Sequence, residues 1–451
     1  MITYLLHKNY RFTSALRYWV QRKFTPAGAL VIAAALLTGG IGVDTNEAIA
    51  YQTFVLLWCL LLVSMIWSLF RAPRFEARRV LPKLGTAGQP LHYQISVINP
   101  GDSTENSVTL TEDFGDPRPT YAEFANNPEP GERRRNPFDR FFRFYRWMWL
   151  MAEKQIAVST AMKLPPLKPG RAPETEMRLQ PKHRGHLRLE GFLFSISDPF
   201  GLCRSYSKCS APDSILILPR RYALPAISLG GAAQYQPGGV TLASSIGESE
   251  EFLSVREYRR GDPLRHIHWK STSKTGKLIV KEFQNEFFVR QALILDTFLE
   301  EASSPVFEEA VSIAASFALA LNSQDSLLDL LFVGPRAFCV TAGHGVAQVS
   351  HMLEILAAVQ PCTKAKFSDL EEIVLRQIAL VSGSVCIFLK WDEDRKSLVE
   401  QIDSLGIPQL VLILNRPGEK NPAIRFSPGR GRFVRTAIID ASKVQEGLSK
   451  L

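Results

Sequence analysis

The chain has 451 residues, 46% of them hydrophobic and 22% charged, and carries a net charge of +9. That length allows more than one domain and large buried cores, and the composition excludes a disordered chain, a collagen-like fibre and a disulfide scaffold. A basic balance suits an anionic membrane surface or nucleic acid without choosing between them. The six cysteines, Cys59, Cys203, Cys209, Cys339, Cys362 and Cys386, are scattered with no C-x-x-C pair, which reads as free thiols in a reducing compartment rather than a zinc site.

Residues 1–26 form a basic N-terminus. Ala27 to Val43 (AGALVIAAALLTGGIGV) and Tyr51 to Phe70 (YQTFVLLWCLLLVSMIWSLF) carry no charge. A membrane-crossing helix needs roughly 20 apolar residues, with a lower limit of about 17, so 27–70 reads as a transmembrane helical hairpin. The alternative, a signal peptide followed by one anchor, has no clear A-x-A site to recommend it. Lys8, Arg11, Arg17, Arg22 and Lys23 precede the first stretch, Arg71, Arg74, Arg78, Arg79 and Lys83 follow the second, and the turn between them holds Asp44 and Glu47 with no Lys or Arg. The positive-inside rule then puts both ends of the chain in the cytoplasm.

Residues 71–220 are β-patterned. Leu91, Tyr93, Ile95 and Val97 alternate with His92, Gln94 and Ser96 before the turn Pro100-Gly101-Asp102, and further short strands are expected at 108–113, 156–162, 175–179, 186–194 and 215–218. Such punctuated strands predict a β-sandwich-like domain. An insertion, 133–151 (RRRNPFDRFFRFYRWMWLM), breaks the pattern. As one helix it would place Phe138, Phe141, Phe142, Tyr145 and Trp149 on one face and Arg140, Arg143 and Arg146 on the other. That suits a helix lying at a membrane interface; packing on the β-domain, an aromatic hairpin and a single-stranded nucleic-acid surface are the alternatives.

After a linker at 221–284, residues 285–451 alternate strands and helices: strands at 292–295, 327–333, 385–389 and 409–414, a possible hairpin partner at 337–341, and helices at 306–322, 346–359, 369–381 and 394–405. This order predicts an α/β domain with a mostly parallel sheet covered on both faces.

The linker holds the densest local signal, EFLSVREYRRGDPLRHIHWKSTSKTGKLIVKEF, Glu251 to Phe283. Asp262 is a suitable N-cap and Pro263 a suitable first residue for a helix, which would turn Leu264, Ile267 and Ser271 inward, set Arg265 against Trp269, and stop at Gly276. Arg256, Glu257, Arg259, Arg260, Lys270, Lys277 and Lys281 surround it. The segment reads either as a salt-bridged clasp or as a docking surface. His266 and His268 would point about 200° apart on a helix and could not share one ion.

Three stretches, RGHLRLEGFLFSISDPFGLCR (Arg184 to Arg204), ILILPR (Ile215 to Arg220) and VREYRRGDPLRHIHWKSTSKTGKLIVKEF (Val255 to Phe283), closely resemble the bacterial family catalogued as Domain of Unknown Function 58. The resemblance implies a membrane hairpin, a β-domain and a von Willebrand factor A-like α/β domain, and company with MoxR-type AAA+ ATPases and transglutaminase-like membrane proteins. It directs attention to Arg256, Glu257, Tyr258, Gly261, Asp262, Arg265, His268, Trp269 and Lys270. It also implies where a divalent cation would sit: von Willebrand A domains often hold one through an Asp-x-Ser-x-Ser loop after the first strand, and the matching stretch here is Asp296-Thr297-Phe298-Leu299-Glu300. Phe298 and Glu300 stand where hydroxyl ligands would be, so Asp296 is a degenerate candidate and no cofactor is expected. The chain has no P-loop, G-x-S-x-G or H-E-x-x-H. The expectation is a non-catalytic, membrane-anchored adaptor that binds protein partners and no nucleic acid; an enzyme with an unrecognised site and a membrane-tethered nucleic-acid-binding protein are the rivals.

Overall fold

The computed structural model describes residues 1–41, 48–71, 74–132, 135–225, 252–260, 262, 264–283, 289–299, 304–321, 326–334, 337–342, 346–363 and 365–451. The chain divides into two compact units, Met1–Arg220 with Glu354–Ala358, and Arg221–Leu353 with Val359–Leu451.

The first unit opens with three helices, α1 (Ile2–Lys23), α2 (Pro26–Ile41) and α3 (Ala48–Phe70). α3, with 23 residues and no charge, is long and apolar enough to cross a membrane; α2 is apolar but has 16 residues. The acidic turn expected between them lies outside the described residues. α1 was not apparent in the sequence as an element. It ends where Phe24 turns extended, and Thr25 accepts the Gly28 amide at its hydroxyl, capping α2.

Then come β1 (Glu76–Val80), β2 (Leu84–Thr86), β3 (Leu91–Ile98), β4 (Val108–Asp113), α4 (Tyr121–Asn126), α5 (Pro137–Phe142), α6 (Phe144–Lys154), β5 (Ala157–Ser159), β6 (Met162–Lys163), β7 (Glu174–Pro181), β8 (Gly185–Ser197) and β9 (Arg204–Leu218). They form a four-stranded sheet, β1-β3-β7-β5, and a five-stranded sheet, β2-β9-β8-β4-β6. Their alternating apolar residues share one core: Tyr93, Ile95, Val97, Met177 and Leu179 from one sheet, Leu110, Phe192, Phe194 and Ile217 from the other. A bulge after Leu189 sets Gly191 so close to β9 that a Cβ there would meet the Cys209 carbonyl oxygen at 2.1 Å.

The insertion corrects its sequence reading. It is two helices, broken at Arg143, which takes a left-handed conformation. The face it buries carries Arg146, Trp147 and Leu150. Arg146 is drawn in because Glu132 accepts its guanidinium and the carbonyls of Phe124 and Ala125 take its other donors. Trp147, with Phe124 and Leu150, makes a small core under α1, where His7 packs edge-on to Trp147 and Tyr10 edge-on to Phe124. Phe138 and Phe141 stay exposed.

The second unit contains β10 (Phe252–Glu257), a 3-10 turn at Leu264–His266, α7 (Trp269–Thr275), β11 (Ile279–Phe283), β12 (Val289–Leu295), α8 (Pro305–Leu321), β13 (Ser326–Val333), β14 (Ala337–Ala342), the first part of α9 (Val346–Ala358, in this unit as far as Leu353), α10 (Phe367–Ile378), β15 (Gly383–Phe388), α11 (Glu393–Ser404), β16 (Gln409–Asn415), β17 (Val434–Asp440) and α12 (Val444–Leu448). Its main sheet runs β14-β13-β12-β15-β16-β17, parallel throughout except at β14. β15 and β16 are buried at every residue, which is why they read as continuous apolar runs. One face packs on Leu370 and Val374 of α10 and Leu398 and Ile402 of α11. α8 lies against β12, β13, β15 and β16 with Phe307, Val311 and Ala314 buried.

Candidate functional site

β10 and β11 pair antiparallel, with Arg256 opposite Val280 and Glu257 opposite Ile279. The segment between them folds back on this ribbon. Ile267 bridges to Val280 and both are buried; the His268 amide donates to the Ile279 carbonyl at 2.8 Å, and the Tyr258 amide to Leu278. The His268 ring meets the Ser271 hydroxyl at 2.7 Å.

Asp262 is not a helix cap. Its two carboxylate oxygens take Arg256 as a fork, NH1 to Oδ2 at 2.7 Å and NH2 to Oδ1 at 2.8 Å, and Oδ2 also accepts the Arg259 amide at 2.8 Å. Two charge-assisted bonds plus a backbone donor stabilise the ionised acid, and the Arg256 contact chiefly holds its pKa down to about 2. The helix begins later, at Trp269, because the chain first makes the 3-10 turn that seats Ile267. Gly276, left-handed, closes it. Leu264 therefore faces outward, not inward, and Trp269 is 67% exposed. Lys277 and Glu257 pair across the ribbon at 2.7 Å, both largely in solvent, while Arg259, Arg260 and Lys270 are exposed. Gly261 lies outside the described residues, as does the Arg265 side chain. The motif thus separates into a half-buried fork, Arg256–Asp262, and an outward surface of Leu264 and Trp269. Arg256 and Trp269 take the opposite roles from those that charge and ring size suggest.

Asp296 sits at the carboxyl end of β12, where the next parallel strand on one side is β13 and on the other β15. That change of direction opens the crevice in which open α/β sheets bind ligands. Asp296 is fully buried and its carboxylate is already taken. Oδ1 accepts the Phe298 amide at 3.0 Å, Oδ2 accepts the Leu389 amide at 3.1 Å, and Arg395 Nε donates to Oδ2 at 2.7 Å. Arg395 is 1% exposed, donates through NH1 to Asp392 at 2.6 Å, and lies over the Phe367 ring at 4.5 Å. Burial alone would weaken its charge; the two carboxylates outweigh burial and raise its pKa. The Arg395 guanidinium lies directly against the Asp296 carboxylate. Glu300 lies outside the described residues, and among those described no three His, Cys, Asp or Glu side chains converge for a metal. Nothing local in the sequence marked Arg395, which lies 99 residues from Asp296; only the N-cap pattern at Asp392 hinted that the start of α11 was ordered. Beside this pair a cleft of about 410 Å³ is lined by Phe298, Lys390, Trp391, Asn415, Arg416 and Lys420, among others.

Residues 254–384, which contain most of the ribbon, the Asp296 strand end and β13, match the family described as "Protein of unknown function DUF58". That stretch of the chain is a DUF58-type region. An uncharacterized protein of Bacillus subtilis (strain 168), YeaD, is 25% identical to it over 203 residues, 43% of this chain and 49% of YeaD. The chain thus spans about half the length of that curated relative. Solved structures with partial likeness include the CARDB domain of the PF1109 protein from Pyrococcus furiosus, in complex with di-metal ions (9% identity, TM-score 0.16, 31% of this chain and 89% of that one), and a cohesin module of a Clostridium perfringens family 33 glycoside hydrolase (8% identity, TM-score 0.16, 32% of this chain and 98% of that one). At those scores neither bears on function.

Proposed function

We propose that this DUF58 protein is a non-catalytic adaptor, held in the bacterial inner membrane by a two-span hairpin, whose von Willebrand factor A-like unit faces the cytoplasm and docks a MoxR-type AAA+ ATPase or neighbouring membrane proteins such as transglutaminase-like ones. Chain order supports the hairpin. α1 precedes α2 and the α4–α6 insertion follows α3, yet α1 packs on that insertion: the Pro119 carbonyl lies 3.0 Å from the His7 ring, the Tyr10 hydroxyl donates to Phe142, and the Trp147 indole to Ser14. Segments joined this way share one side of a bilayer, so if α3 crosses, the chain between them crosses an even number of times, which supports α2 as its partner. Lengths agree. Asp198 binds the Ser64 hydroxyl, Trp67 packs on the β core, and Arg71 pairs with Glu105 at 2.8 Å, so the end of α3 belongs to the protein. Residues 48–63 remain, about 24 Å of helix, the same as the 16 residues of α2. Both are shorter than the ~30 Å hydrocarbon core, a mismatch that local thinning accommodates.

The adaptor reading rests on Trp269. A large aromatic exposed to this degree contributes little to its own fold and is the residue type that anchors interfaces. The cations beside it suit an acidic partner surface. The test is photo-crosslinking from position 269 in full-length protein in native membranes, co-expressed with a MoxR-type ATPase of the same organism. The expected result is a crosslink from 269 and none from exposed Leu405, with Trp269→Ala leaving the melting temperature unchanged. No crosslink from 269 in folded protein would remove this surface as the docking site.

A further inference from the structure

The α1 helix has a face that the fold does not use. Its inward side is spent on the insertion, through His7, Tyr10 and Ser14. At 100° per residue the opposite side, about 180° away, carries Leu5, Phe12, Leu16 and Trp19 within about 60° of one another. These four are 49–68% exposed, on a helix of 22 residues, about 33 Å long. α1 has no Asp or Glu; exposed Lys8 and Arg22 lie along one edge of the stripe. Apolar faces of this extent on soluble surfaces mark interaction sites.

Two observations identify the occupant. First, the helix runs straight into the membrane segment. Lys23 ends α1 and Pro26 begins α2, and Thr25 between them donates its hydroxyl to Leu202 at 3.2 Å, in the turn whose Asp198 binds Ser64 of α3. The end of α1 therefore lies level with the point where both apolar helices leave the protein. Gly28 holds that junction tight: a Cβ there would meet the Leu202 carbonyl oxygen at 2.2 Å. Second, the charge is of one sign. An apolar stripe edged by cations with no acid fits the headgroup region of an anionic bilayer, where rings and aliphatic chains sink below the phosphates and Lys and Arg reach them. We propose that α1 is an interfacial helix, lying on the cytoplasmic leaflet of anionic phospholipid through Leu5, Phe12, Leu16 and Trp19, and clamped from behind by the insertion. This rests on the membrane-anchored reading and adds to it a lipid-contacting surface outside the spans.

The test uses the full chain with exposed Cys59 and Cys339 replaced by serine and an environment-sensitive fluorophore on Phe12→Cys, reconstituted in vesicles of phosphatidylethanolamine and phosphatidylglycerol. A second sample carries the label on Leu405→Cys in the α/β unit. At position 12 the expected result is a blue-shifted emission, several-fold weaker quenching by aqueous iodide than at 405, and strong quenching by lipids spin-labelled near the headgroup. Lys8→Gln with Arg22→Gln should partly reverse these effects. Iodide quenching at 12 equal to that at 405 would overturn the proposal. So would protection from iodide without lipid quenching, accompanied by disulfide formation between two copies at position 12, which would make the stripe a contact between copies of the chain. Alkaline carbonate extraction separates this from the parent reading: release of the wild-type protein from membranes defeats the anchor itself, whereas retention with a water-exposed label defeats only the α1 surface.

Discussion

Asp296 and Arg395 form a buried pair. The Asp296 carboxylate accepts two backbone amides and a guanidinium, with a second carboxylate, Asp392, balancing the arginine. Removing one partner leaves the other charged and buried, which costs about 3–5 kcal/mol. Arg395→Met should therefore lower the melting temperature markedly, and millimolar magnesium should leave that of the wild type where it is; a magnesium-dependent rise in the wild type would show that the guanidinium yields the site. The Arg256–Asp262 fork works in the opposite, solvent-facing regime. The Asp262 pKa is depressed to about 2, below an unfolded value of about 3.9, so its contribution to stability is complete above pH ~4 and is lost as pH falls through about 2. In Arg256→Gln that contribution is gone at every pH. The gap in melting temperature between wild type and variant should be widest above pH 4 and close toward pH 2; a gap independent of pH would mean Arg256 acts by packing alone. The residue identities of the motif were visible in the sequence, but their roles were not. Arg256 and Asp262 are six apart on an irregular turn, and no periodicity reveals that one grips the other.

At the scale of elements, helices and strands that bury a regular face could be read from spacing, and those shaped by a single contact could not. β3, β4, β15 and β16 stand where alternation or continuous apolar runs placed them, as do α8 and α11. The insertion did not, because Arg143 turns left-handed and rotates α6 relative to α5, so the buried ring is Trp147 instead of Trp149. β17 and α1 were missed for related reasons: β17 is an edge strand with a half-exposed pattern, and α1 has apolar residues on both of its faces, which blurs any amphipathic signal. Trp147 is the element-scale test of this packing. It is 2% exposed and joins α1, α4 and α6. Trp147→Ala should cost about 3–5 kcal/mol and should make α1 accessible to limited proteolysis before the β core melts. Cleavage that instead begins in the β-domain would show that α1 is held by something other than this cluster.

For the whole molecule the decisive relation is between α1 and the segments that follow α3. An uncharged, mostly apolar helix of 23 residues crosses a bilayer readily; a helix of 16 with glycines at 28, 39 and 40 does so less readily on length alone. The even-crossing argument favours the proposed pair of spans, since α1 and the insertion can form their joint core only if the chain returns to the side it left. It also yields a sharp expectation for deleting residues 26–47, which removes α2. If α2 crosses, the deletion leaves one span and sets a conflict. Either α1 stays cytoplasmic and the β-domain is exported, or the β-domain stays and α1 is carried across with Lys8, Arg11, Arg17, Arg22 and Lys23, against the positive-inside rule. In both cases His7 parts from Pro119 and Ser14 from Trp147, and the first unit loses its α1 clamp. A topology reporter fused at Leu451 should read cytoplasmic in the full chain, and after the deletion should either read periplasmic or belong to a protein that is degraded. If α2 merely lies beside α3 without crossing, the deletion leaves the number of crossings unchanged, and the reporter should read the same in both proteins at equal abundance. That result would discard the hairpin while leaving the Asp296–Arg395 pair and the ribbon motif as they stand.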